Sequence, residues 1–97
     1  MFKIMTIKNI RVKQGSQTLN NGLPSGTSED GGKTIVAVVT WNLENIVRGD
    51  PLFLSQKQVE VEGEDEQGKI FKQNMVVSSV GPPKGSAAVR ETTFRAV

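Results

Sequence analysis

Two clusters of ionisable residues are the parts of this 97-residue chain that could do chemistry. Glu60, Glu62, Glu64, Asp65 and Glu66 crowd carboxylates into residues 60–66 with no base among them. Such oxygens suit a hard cation such as calcium, or a general acid/base pair if burial raises one pKa. Lys3, Lys8, Arg11 and Lys13 place four cations in the first thirteen residues with no acid, the material of a phosphate-binding strand. The surroundings limit both ideas. The acidic run lacks the carboxylate spacing, the far glutamate and the flanking helices of an EF-hand loop. Placed at a hairpin tip, it has no pocket in which to raise a pKa, and its repulsion would instead keep foreign strands off the sheet. We therefore expect no metal and no catalytic residue here, with the two clusters standing as an acidic patch and a basic patch. A basic end and an acidic middle could also serve head-to-tail contact between copies.

Composition removes further chemistries. The chain has no histidine, no cysteine and no tyrosine. Without histidine, a Ser-His-Asp triad and the commonest metal ligand are both missing. Without cysteine there is no disulfide, thiolate nucleophile, zinc-thiolate site or iron–sulfur cluster. The glycine-rich stretches at 22–32 and 81–85 do not make a phosphate loop, because Gly32-Lys33-Thr34 leads into a strand and not a helix. No cofactor is implied and the expectation is a non-enzyme. The N-terminal apolar stretch is too short for a signal peptide, and no run of about 18 apolar residues marks a membrane span. The expected location is the cytoplasm or a virus particle.

What must position these clusters is β structure. The sequence holds 12 Val, 6 Ile and 7 Thr against 5 Leu and 4 Ala, a strand-forming mixture. In the first strand Met5 and Ile7 share one phase of alternation and Ile10 and Val12 the other, so it needs a bulge or bend near Lys8-Asn9. Residues 14–33 read as a long irregular loop or arm, rich in turn residues and anchored only by Leu19 and Leu23. Thr34–Leu43 is the strongest strand, with Ile35, Ala37, Val39, Trp41 and Leu43 on one face. Val36 and Val38 make the other face apolar as well, as in a strand covered on both sides or meeting a partner. Trp41 reads as the core anchor. Residues 44–51 turn, with Arg48-Gly49-Asp50 read as part of that turn, and Leu52-Phe53-Leu54 starts a short strand. Gln56–Glu62, a tip at 63–68 and a return over Lys69–Val80 form a hairpin whose second strand is doubly buried or bulged. Gly81–Gly85 is a turn and Ser86–Val97 a last strand.

Two fragments resemble fibronectin type III and related immunoglobulin-like sandwiches. Val38-Val39-Thr40-Trp41 is similar to the second strand of that family, and Thr93-Phe94-Arg95-Ala96-Val97 to its penultimate strand. The family's tyrosine near that strand is absent. The resemblance implies a sandwich and carries no activity. The expected fold is thus all-β: one domain over 1–97, a small antiparallel β-sandwich of five to seven strands with no substantial helix, a barrel being the second choice.

The leading functional expectation is a non-catalytic structural or interaction module that assembles with itself or docks on a larger particle, as capsid, decoration and tail proteins of virions do. Val36, Val38, Leu19 and Leu23 are its candidate interface. The alternative is an OB- or SH3-like nucleic-acid binder using Lys3, Lys8, Arg11 and Lys13.

Overall fold

The computed structural model describes residues 4–97, which form eight antiparallel strands and three single 3₁₀ turns, with no α-helix among them. Six strands close into a barrel: β1 (Met5–Gln14), β4 (Gly26–Ser28), β5 (Thr34–Trp41), β6 (Gln58–Glu64), β7 (Ile70–Pro83) and β8 (Val89–Ala96). Around the wall they run β1-β4-β5-β8-β7-β6, and β6 pairs back to β1. The sequence β6-β1-β4-β5 is a Greek key, three linked strands with a fourth returning beside the first. Two short strands, β2 (Gln17–Thr18) and β3 (Asn20–Asn21), add to β1 and β5 outside the ring.

The expected sandwich is therefore corrected to a barrel, and the cause lies in β1. Its pairing with β6 shifts register between Lys8 and Arg11, where Asn9 takes a φ of 55°. This is the bulge that the phase slip required. It returns Ile7, Ile10 and Val12 to the same, interior side, where all three are buried. The bend also lets β1 pair with β4 through Met5–Ile7 and with β6 through Lys8–Lys13, which closes one sheet on itself.

Each wall strand contributes inward residues at period two. The largest fully buried side chains include Trp41 and Phe94, whose ring centroids lie 6.3 Å apart at 54°. Trp41 thus sits in the core as expected, although its Nε1 has no hydrogen-bond partner. Two inward positions carry glycine because nothing larger fits. A Cβ on Gly63 would stand 2.6 Å from Ile7 Cγ2 and 2.8 Å from the Lys8 carbonyl, and one on Gly26 would stand 2.9 Å from Ile35 Cγ2. These gaps let β1 lie against β6 and let Ile10 and Ile35 meet across β4.

Residues 14–33 are not an arm. They contain β2, β3 and β4, and Leu19 is wholly buried in the core. Asn20 is the pin. Its Oδ1 accepts from the Val12 N–H at 2.9 Å and its Nδ2 donates to the Ile10 carbonyl at 3.0 Å. The Ile10 N–H reaches the Pro24 carbonyl, and the Leu19 N–H reaches that of Val12. The edge of β1 that β4 leaves uncovered is satisfied in this way. Leu52-Phe53-Leu54 is likewise not a strand. Pro51–Leu54 is a 3₁₀ turn, capped by Asp50 Oδ1 accepting from the Leu52 N–H. With Ile46, buried Leu54 closes the Trp41 end of the barrel. The return strand is bulged, as one alternative had it, between Val77 and Ser79 and again before Pro83.

Candidate interaction surface

The acidic and basic clusters lie on adjacent strands and face each other. Across the β1–β6 seam Lys8 stands opposite Glu64, Arg11 opposite Glu62 and Lys13 opposite Glu60. Lys13 Nζ approaches Glu62 Oε1 at 2.6 Å, and Lys72 from β7 reaches Glu60 at 3.8 Å. The Lys13 hydrogen bond holds the Glu62 carboxyl below the usual glutamate range, helped by the charges of Lys13, Lys72 and Arg11 against a smaller opposing effect of burial.

The rest of the acidic run is also engaged. Asn9 Nδ2 donates to Glu64, and the Thr6 N–H donates to Glu66 Oε1 at 3.0 Å. Asp65 Oδ1 accepts from the N–H groups of Gln67 and Lys69, tying the hairpin tip. Among the described residues no three His, Cys, Asp or Glu converge where a metal ion could sit. The acidic patch is therefore a latch on β1. Lys3 lies outside the described residues.

A different surface forms on the far side of the ring, where β5 stands between β4 and β8. Val36 and Val38 point outward and are 36% and 44% exposed. Beside Val36 stand Thr27 of β4 and Thr93 of β8, its partners in register. Val36 thus has β-branched, uncharged neighbours on both sides, while Val38 stands opposite Glu91 of β8. Of the four expected contact residues, Val36 and Val38 share this face and Leu23 is exposed in the β3–β4 connection. Leu19 is in the core and offers no surface.

Two open grooves meet at Thr34, and Val36 lines the first of them. The first, about 430 Å³, is lined by Thr27, Glu29, Asp30, Thr34 and Val36. Asp30 Oδ1 accepts from the Thr34 N–H at 2.7 Å and from the Ser28 hydroxyl at 2.9 Å. The Thr34 hydrogen bonds, aided by Ser28, hold the Asp30 carboxyl below the usual aspartate range against a weaker effect of burial. The second groove, about 590 Å³, is lined by Lys33, Thr34, Gln56, Gln73, Val76, Arg95 and Ala96. No ion pair among the described residues involves Lys33 or Arg95.

Glu29, Asp30, Lys33 and Arg95 were not singled out by sequence reasoning. Arg95 did carry a signal: it alternates with inward Phe94 at the end of a strand, so its side chain had to face out. The other three fall in the stretch read as irregular, where strand phase could not be assigned. A separate exposed apolar group, Val47, Leu52 and Phe53, lies on the 3₁₀ turns of 47–54, with the Arg48 guanidinium 5.8 Å from the Phe53 ring centroid.

Compared with known proteins, the chain matches no family model, no curated protein and no solved structure.

Proposed function

We propose that this chain is a non-catalytic assembly module that works through protein contact on the outer face of β4, β5 and β8. One observation carries the reading: Val36 and Val38 stand exposed on the central strand of a wall, while the opposite seam sets its cations against carboxylates. Apolar residues side by side on a strand mark a surface that gains by being covered. The composition supports the non-catalytic part, since histidine and cysteine are missing and the carboxylates of 60–66 are spent on hydrogen bonds and ion pairs.

Nucleic-acid binding through β1 loses its main support. Lys8, Arg11 and Lys13 face Glu64, Glu62 and Glu60, and a phosphate backbone needs a row of cations without such partners.

The test is mass in solution as concentration rises. Sedimentation equilibrium of the unaltered protein is expected to show reversible association that Val38→Glu abolishes while the circular dichroism spectrum stays unchanged. A strict monomer at high concentration that builds no particle would refute the reading.

A further inference from the structure

We infer that the partner on this face is a second copy of the chain, seated by a two-fold axis that runs along β5. The inference rests on the assembly reading above and adds the identity and orientation of the occupant. Its basis is the order of charge across the wall. On the β4 side of Val36 lies the acidic groove with Glu29 and Asp30, and on the β8 side lies the basic groove with Lys33 and Arg95. Thr34 and Arg95 are directly paired across β5 and β8, which sets the guanidinium one strand from the centre line. A two-fold axis in the interface plane and parallel to β5 keeps strand direction and exchanges left for right. The acidic groove of each copy then meets the basic groove of the other, twice over, and Val36 meets its own counterpart at the middle. Such self-complementarity is what an isologous interface requires. An axis across the strands would oppose like charges and is disfavoured.

Among the described residues no carboxylate pairs with Lys33 or Arg95, although Lys13 and Lys72 each have one. The side chains of Lys33, Arg95 and Glu29 are free to turn outward to a partner. Asp30 is fixed by its own loop, and its carboxylate stays charged well into the acid range. Glu91, the carboxylate of β8 on this wall, stands opposite Val38 and away from the basic groove. Three strands about 4.8 Å apart, the two longer ones eight residues long, span at most roughly 400 Å², less than the ~800 Å² per partner of a standard interface, so the dimer is expected to be weak and reversible.

The experiment is sedimentation equilibrium on complementary charge variants. Lys33→Glu/Arg95→Glu makes both grooves acidic, and Glu29→Lys removes charge from the acidic one. Each variant alone is expected to dimerise about tenfold or more weakly than the unaltered chain, and an equimolar mixture is expected to recover a heterodimer. Circular dichroism should match in all of them, since none of these side chains makes a hydrogen bond among the described residues. If Val38→Glu abolishes association but the charge variants associate normally, the assembly reading stands and the two-fold arrangement falls. If the unaltered chain is monomeric, both fall. A fluorescent single-stranded oligonucleotide provides the last arm. Salt-sensitive binding that Lys33→Glu/Arg95→Glu removes would show a phosphate chain in the basic groove and overturn the second copy as its occupant.

Discussion

The β1–β6 seam and the β4–β5–β8 wall are built alike on the inside and oppositely on the outside. Both turn valine and isoleucine into the same core. Outward, the seam pairs Lys13 with Glu62 and faces Arg11 and Lys8 with carboxylates, while the wall shows valine and threonine between an acidic and a basic groove. The difference separates two uses of charge. On the seam, segregation along the chain is cancelled in space, so it serves closure of the barrel. On the wall, the charges stay apart in space and the valines stay bare, which is the basis of the assembly proposed above. Charge clustered in a sequence therefore says little about partners until it is known which strands are neighbours.

The widest split between the two regions is expected from changes that undo the scaffold. Asn20→Ala would strand the Val12 N–H and the Ile10 carbonyl on β1, each bonded only through that side chain in the contacts described. Two buried backbone groups left unpaired should cost about 3 kcal/mol or more, read as a lower midpoint in urea at unchanged slope. Gly63→Val comes next. Its branched side chain would collide with Ile7 and with the Lys8 carbonyl, and overpacking of this kind costs about 3 kcal/mol. Both changes should lower stability while leaving any association of the still-folded fraction intact. An Asn20→Ala protein as stable as the parent would mean that β1 is held by closure alone.

The sequence showed much of the seam and little of the wall's purpose, for physical reasons. The slip between Ile7 and Ile10 located the bulge, because alternation at period two leaves one way to return both residues to a core. Trp41 and its alternating neighbours marked the central strand for the same reason. Closure itself was not legible. Whether six strands make a sandwich or a ring depends on β1 meeting β6, a pairing between residues some fifty positions apart that no local pattern encodes. The 14–33 stretch was misread because its strands are two or three residues long, too short for a period to show, and because a buried asparagine looks like a turn residue. Val36 and Val38 were visible as a second apolar face. The grooves that give that face a direction arise from Glu29, Asp30, Lys33 and Arg95 coming together only in the folded wall.

A milder way to sharpen the comparison is acid. The folded pKa of Glu62 lies below its ordinary value near 4.5, so the unfolded chain takes up this proton first as pH falls. The stability that the Lys13 contact contributes is therefore complete above that value and is lost as pH drops through the folded pKa. Glu62→Gln should be less stable than the parent near neutrality, with the gap closing below about pH 4. Because the pair is partly exposed, high salt near neutrality should shrink the same gap. A gap unaffected by pH would mean that Lys13 contributes packing and no charge.

The smallest effect on stability is expected where the effect on assembly is largest. Val38→Thr trades one outward methyl for a hydroxyl on a surface already lined by threonine, and β propensity hardly changes. Such surface substitutions usually stay within about 0.5 kcal/mol, so the melting curve should barely move. Association should nevertheless weaken, because each copy loses an apolar contact at this position and its new hydroxyl must shed water when the face is covered. Folding experiments alone would call Val38 neutral and Asn20 essential, and sedimentation would reverse that ranking. A Val38→Thr protein that both folds and associates as the parent does would place the contact elsewhere on the molecule, with the exposed Val47, Leu52 and Phe53 group the next surface to mutate.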